Sequence, residues 1–108
     1  MARTDSLPGT LELLILQTLE RGANHGFGIT LHVETVSEGL LRMEEGSLYP
    51  ALHRLEKNNL VRGAWRQTEN GRRARFYSLT PAGARRLAEA KTNWAAVSKG
   101  VQRVLRFA

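Results

Sequence analysis

Leu48, Leu52 and Leu55 recur at spacings of four and three, so they share one stripe of a helix, with Tyr49, Pro50, His53, Arg54 and Lys57 on the other side. One side packs and the other is free to touch a partner. Ser47 has the chemistry of an N-cap, since its hydroxyl can accept a hydrogen bond from an otherwise unpaired amide of the first turn. Pro50 then falls within that turn, where a missing N–H costs nothing. Asn58 and Asn59 predict the end of the helix, because asparagine tolerates the left-handed backbone that follows many C-termini.

Two further helices precede this one. Leu7, Pro8, Gly9 and Thr10 read as an entry turn with Thr10 as N-cap, and Leu11, Leu14, Ile15, Thr18 and Leu19 form a stripe to about Glu20. Leu13 and Leu16 widen that stripe, which predicts a largely interior helix closed at Gly22. The second helix is expected from residue 26 to about 37, with Phe27, Leu31, Val33 or Glu34, and Val36 distributed along it. Its pattern is weaker, and the β-branched Ile29, Thr30, Val33, Thr35 and Val36 leave it dependent on tertiary packing. Gly39 breaks the chain, and residues 40–43 are compatible with a short strand.

After Leu60 the period changes from helical to alternating. Val61, Gly63, Trp65 and Gln67 alternate with Arg62, Ala64 and Arg66, the chain turns through Thr68, Glu69, Asn70 and Gly71, and residues 75–79 return. An Asn-Gly pair between two such runs predicts a hairpin with a type I′ turn. Thr80 and Pro81 then open a last helix as N-cap and first residue. In it Leu87, Ala90, Trp94, Val97, Val101 and Val104 are spaced three, four, three, four and three. If it remains helical to Arg106 it is about 39 Å long at 1.5 Å per residue. A helix that overhangs its own small domain must bury its seam elsewhere, and the same helix of a second chain is the expected partner; folding back on its own core is the alternative. Gly100 weakens it by about 1 kcal/mol relative to alanine. Three helices and a hairpin followed by a long helix predict a mainly α fold with a small β-hairpin: a winged helix-turn-helix over residues 1–79 and a C-terminal dimerisation helix over 80–108.

Charge sharpens this picture. The net charge is +6 over 108 residues, yet residues 1–46 hold three basic against seven acidic side chains, and residues 47–108 hold thirteen against three. The cationic surface therefore belongs to the second half and attracts polyanions over a range set by ionic strength. From Ser47 to Tyr77 there are seven basic residues and two acidic ones, on the elements that a winged helix turns towards DNA. Ser47, Tyr49, Pro50 and His53 are candidates for the groove, Arg54 and Lys57 for its edge, and Arg72, Arg73 and Arg75 for the wing. Ordinary alternatives stand beside these roles. Tyr49 is also suited to covering the edge of the core, His53 to a plain surface position, and Arg75 to a contact across the hairpin. Trp65 and Phe76 suit hairpin packing better than stacking on single-stranded nucleic acid. A basic face meeting an acidic protein, with no sequence-specific DNA binding, is the competing function.

Catalysis finds no support. His25, His32 and His53 form no metal-ligand spacing, and the glycines of Gly26-Phe27-Gly28 lack the strand and spacing of a phosphate loop. No metal or cofactor is expected. Without cysteine, a cleavable leader pattern or an apolar run of membrane-spanning length, the chain reads as a cytoplasmic protein without membrane attachment. Trp94 is the one residue outside the DNA face that suggests a ligand. A large flat side chain packs imperfectly at a two-stranded seam, and the gap suits a planar aromatic effector; a plain dimer-core role is the alternative.

The runs Leu11-Glu12-Leu13-Leu14-Ile15-Leu16, His25-Gly26-Phe27, Glu45-Gly46-Ser47-Leu48-Tyr49-Pro50-Ala51-Leu52 and Tyr77-Ser78-Leu79-Thr80-Pro81-Ala82-Gly83 resemble the PadR family of bacterial transcriptional regulators. The likeness extends from about residue 7 to 87 and is to the short subfamily with a single C-terminal helix. It implies a dimeric winged-helix repressor on an inverted-repeat operator, often beside its own gene or genes for detoxification, efflux or phenolic-acid metabolism. By the same resemblance Ser47, Tyr49 and Pro50 belong to the recognition helix and Arg72 and Arg73 to the wing. Some short members hold planar drugs between tryptophans of that last helix, where Trp94 is comparable; Phe27 stands where many members have tyrosine.

Overall fold

The leucine-rich first helix becomes the centre of the molecule. The computed structural model describes residues 10–107. Here α1 (Thr10–Glu20) buries Ile15, Leu16, Thr18 and Leu19 and touches α2 (Gly26–Val36), α3 (Glu45–Lys57), β3 (Arg73–Leu79) and α4 (Pro81–Arg106). Its one buried hydroxyl is satisfied, because Thr18 donates to the Leu14 carbonyl at 2.8 Å. The expected entry turn at residues 7–9 lies outside the described residues, and Thr10, expected ahead of the helix, is already part of it.

The weak pattern of α2 resolves onto a different face from the one expected. Gly26, Ile29 and Val33 are buried at spacings of three and four, whereas Phe27, Leu31 and Val36 are exposed. So many apolar residues surround this helix that spacing alone did not pick the packed side. Its N-terminus is capped by an imidazole, since Nδ1 of His25 accepts from the Gly28 amide at 3.1 Å. Residues 40–43 form no strand. The additional strand is instead β1 (Asn24–His25), two residues long, which pairs antiparallel with β3 through Asn24 with Tyr77 and His25 with Phe76.

α3 starts three residues earlier than Ser47 as N-cap predicts. Glu44 is the cap without a side-chain bond, Glu45 places a carboxylate in the first turn where the helix dipole favours it, and Ser47 is the third helical residue. Pro50 consequently sits in the second turn, not the first, and cannot donate to the Gly46 carbonyl. Both residues are exposed, so water can take the place of that bond. The C-terminus follows the expectation: Asn59 has φ of 60°, and the amides of Asn59 and Leu60 donate to the carbonyls of Glu56 and Leu55 at 2.9 Å each.

The sheet has the order β1-β3-β2, where β2 is Val61–Gln67. β2 and β3 pair from Val61 with Leu79 to Gln67 with Arg73. Their turn differs from type I′, which needs positive φ at both Asn70 and Gly71. Only Gly71 has it, at 81°, and the bonds Thr68 N–H to Arg72 O (2.7 Å) and Gly71 N–H to Thr68 O (2.9 Å) close a three-residue loop. One more residue on the incoming side makes the glycine the single left-handed position of a bulged turn.

α4 begins as predicted. The Thr80 hydroxyl accepts from the Gly83 amide at 2.9 Å, and donates to the carbonyl of Asn59 at 2.7 Å. A side chain at Gly83 would run into the carbonyl of Leu60, so glycine lets the start of α4 lie directly on the turn that ends α3. The direction of the long helix is thus fixed against the end of α3. Leu87 is fully buried in the core cluster with Ile15, Leu16, Leu52 and Tyr77, so it serves this chain's own core and not the dimer seam expected for it. At that point α4 still lies across α1, held by Arg86 to Glu12 at 3.1 Å and Lys91 to Glu20 at 3.7 Å. Beyond Ala90 every described residue of α4 except half-buried Ser98 is exposed.

Candidate nucleic-acid interface

The interface is assembled from α3 and the hairpin that follows it. On α3, Leu48, Ala51, Leu52 and Leu55 are buried, which turns Tyr49, Pro50, His53, Arg54 and Lys57 outwards, with Ser47 half-buried at the rim. This division matches the leucine spacing. Tyr49 takes the covering role that the sequence allows and stays half open. A Cβ at Gly26 would meet its hydroxyl at 2.6 Å, so the ring covers the start of α2, yet 48% of the residue remains open. Gly26 is therefore a residue that supports the site, and the sequence marks it only as a helix start.

On the hairpin, Val61 and Tyr77 face the core, and the alternation of β2 and β3 puts Trp65, Arg73 and Arg75 on that same face further out. Arg73 lies over the Trp65 ring at 5.3 Å, while on the opposite face Arg66 lies over Phe76 at 4.2 Å. Phe76 is half-buried with the His25 ring edge-on at 5.0 Å, a packing role, whereas Trp65 is exposed. Arg72 and Arg73 are exposed at the tip. Arg54, Lys57, Arg62, Arg66, Arg72 and Arg73 form no ion pair with any described residue, in contrast to Arg42, Arg86 and Lys91 elsewhere.

Arg75 differs from its neighbours. Its guanidinium is bound to the Glu56 carboxylate on α3, and it crosses the hairpin near the rings of Trp65 and Tyr77. The approach to Trp65 is the contact across the hairpin that the sequence allows, whereas the bond to Glu56 on α3 lies outside both expected placements. The hydrogen bond to Glu56 raises the arginine's pKa above its ordinary value, and burial raises that of the Tyr77 hydroxyl, which keeps it protonated. Glu56 was not among the residues expected here. Its signal is its isolation, one of two carboxylates among seven cations between Ser47 and Tyr77.

On α4 the residues expected at the seam, other than Leu87, leave the core step by step. Ala90 is half-buried, and Trp94, Val97, Val101 and Val104 are 43%, 45%, 52% and 72% exposed. They form one stripe along a helix about 39 Å long, in a chain whose principal extents are 54, 28 and 21 Å. Among the described residues no helix is long and apolar enough to cross a membrane.

Comparison with known proteins agrees with this architecture. Residues 15–89 match the transcriptional regulator PadR-like family. A transcriptional regulator from Clostridium thermocellum superposes with a TM-score of 0.83 at 25% identity, over 93% of this chain and 97% of that one. A PadR-like transcriptional regulator from Bacillus cereus does so with a TM-score of 0.76 at 28% identity, over 94% and 97%. An uncharacterized 37.1 kDa protein in a Streptomyces fradiae transposon is 43% identical over 72 residues, 67% of this chain but 19% of that protein. The match over most of the winged helix, joined to the agreement in fold, shows that the chain belongs to the PadR-like family of transcriptional regulators.

Proposed function

We propose that two copies of this chain pair along α4 and read an inverted-repeat operator as a cytoplasmic repressor. In this reading α3 enters the major groove through Tyr49, Pro50, His53 and the rim residue Ser47, with Arg54 and Lys57 at its edge. Arg72 and Arg73 approach phosphates from the wing. Ala90, Trp94, Val97, Val101 and Val104 form the seam between subunits, so residues up to 79 read DNA and those from 80 onwards also join the pair. The observation that carries the reading is a set of cations on α3 and the hairpin, unpaired among the described residues, beside a helix whose exposed apolar stripe calls for cover. The Thr80 and Gly83 contacts with the end of α3 support a fixed spacing between the two reading helices.

A gel shift with the DNA upstream of the chain's own gene is expected to show a salt-sensitive complex. Arg72→Ala and Arg73→Ala should weaken binding to every duplex, and removing one phosphate-binding cation should reduce the salt slope by about one. Tyr49→Ala should instead lower preference for the selected duplex over random DNA by about tenfold. Equal losses on both duplexes would remove Tyr49 from base recognition. Binding to an acidic protein with no shift of any duplex would favour the docking function.

Half-exposed Trp94 at the seam supports a second level, release of DNA by a planar aromatic effector between subunits. In a Trp65→Phe background, flat aromatic dyes are expected to quench Trp94 emission saturably and to weaken the gel shift. Quenching that rises linearly without saturation would contradict an effector site.

A further inference from the structure

The contact between Arg75 and Glu56 joins the two elements that the proposed function needs to act together, and a third residue makes room for it. Gly63 lies on β2 opposite Tyr77, two pairs inward from Trp65 and Arg75 and on the same face of the hairpin. A Cβ at Gly63 would stand 2.6 Å from Nε of Arg75 and 2.8 Å from its Cζ and Nη2. The bare backbone at residue 63 is thus the bed on which the guanidinium lies. Tyr77 and Trp65 flank it at 6.0 and 5.8 Å from their ring centres, and Glu56 takes it from α3. Glu56 stands at the border between the buried stripe of α3 and its outer face, one turn beyond Leu52 and next to Leu55. Nothing about the core requires this arrangement. The residues beneath it, Val61, Tyr77 and Leu55, are already buried, while both members of the ion pair keep about a third of their side-chain surface open.

We propose that Arg75, Glu56 and Gly63 form a strut that sets the angle of the wing against the recognition helix, and that Arg75 is a positioning residue and not a phosphate contact. The inference rests on the DNA-binding reading above, moves Arg75 out of the set of expected wing contacts, and gives Glu56 and Gly63 a part in the site. β2 and β3 project past the core as a two-stranded ribbon, which twists freely on its own. A ribbon pinned to α3 at one point delivers Arg72 and Arg73 to phosphates at a fixed distance from the bases that Tyr49 meets. An unpinned ribbon still carries the same charge, but spreads it over many angles.

Charge and position make opposite predictions, which permits a clean test. Glu56→Gln removes a negative charge beside the DNA face. If Arg75 were a phosphate contact held back by Glu56, this variant would bind DNA more tightly, and Gly63→Ala, which changes no charge, would bind as the original does. The strut predicts that both variants bind the duplex selected from a random pool about two- to fivefold more weakly, the range of an exposed ion pair, with the salt slope unchanged. Arg75→Met in the Glu56→Gln background should add little further loss. The same variants are followed without DNA by amide hydrogen exchange in the hairpin. The strut predicts faster exchange in Gly63→Ala and Glu56→Gln alike, with α1 protection unaltered. Unchanged hairpin exchange in both, or tighter binding by Glu56→Gln, would overturn the strut. Absence of any duplex binding by the original protein, with exchange accelerated in the variants, would overturn the DNA reading and leave the strut standing as a structural feature of the wing.

Discussion

Replacing Val97 and Val101 together by glutamate is expected to convert the protein from a dimer to a monomer and to lower operator affinity by about 10²- to 10⁴-fold, the advantage that disappears when two linked sites become independent. Both valines are about half exposed in the subunit, so each subunit keeps its own core and should still fold. In a two-fold seam each new carboxylate would face apolar side chains and its own symmetry mate, and burial of an unpaired charge is strongly unfavourable. Analytical ultracentrifugation checks the first half of the expectation and binding to the selected duplex the second. A double variant that sediments and binds like the original would contradict pairing along α4. Residual binding to random duplex should persist, because Arg54, Lys57, Arg72 and Arg73 are untouched.

Leu52→Ala is expected to act through the fold. Leu52 is fully buried in the core cluster with Ile15, Leu16 and Leu87, so its truncation weakens the packing against α1 and the base of α4 at once. Such substitutions cost about 2–5 kcal/mol, a large part of a typical net stability of about 5–15 kcal/mol. For a domain of this size the melting temperature should fall by roughly 10–20 °C. The comparison is made by circular dichroism at one fixed protein concentration, since melting of an associating protein depends on it. A shift of only a degree or two would show that α3 is not seated through this leucine. Tyr49→Ala is the companion measurement, because loss at that half-exposed ring should reach DNA preference more than stability.

The elements with strong period were legible in the chain. Leu48, Leu52 and Leu55 separate the two sides of α3 because four- and three-residue spacing leaves a helix little choice, and Asn59 closes it by adopting the left-handed backbone. Thr80 and Pro81 likewise define the start of α4, and the helix that the three- and four-residue spacing predicts continues to Arg106. What escaped the sequence depended on partners distant along the chain. β1 is two residues held by β3, too short for alternation to register, and the buried side of α2 is chosen by α1 from several apolar candidates. The cap of α3 falls on Glu44, ahead of a serine with better capping chemistry, because Glu45 and Gly46 extend the helix backwards. Leu87 fits the seam by spacing, but it meets its own core first.

The candidate site divides in the same way. Tyr49, His53, Arg54, Lys57, Arg72 and Arg73 could be named from pattern and charge, since a residue opposite a buried stripe or at a hairpin tip is exposed almost by necessity. Arg75 was open between two placements, and only the third dimension brings Glu56 within reach and sets Gly63 beneath it. A charged residue's partner across an interval of nineteen positions leaves no periodic trace. Family membership follows from the matched residues and the shared architecture.

Selection of bound duplexes from a random pool puts the whole account at risk in one step. Paired recognition helices joined by α4 predict two inverted copies of one short motif, their centres about 10–10.5 base pairs apart. A single unrepeated motif, direct repeats, or no enrichment over the starting pool would contradict it.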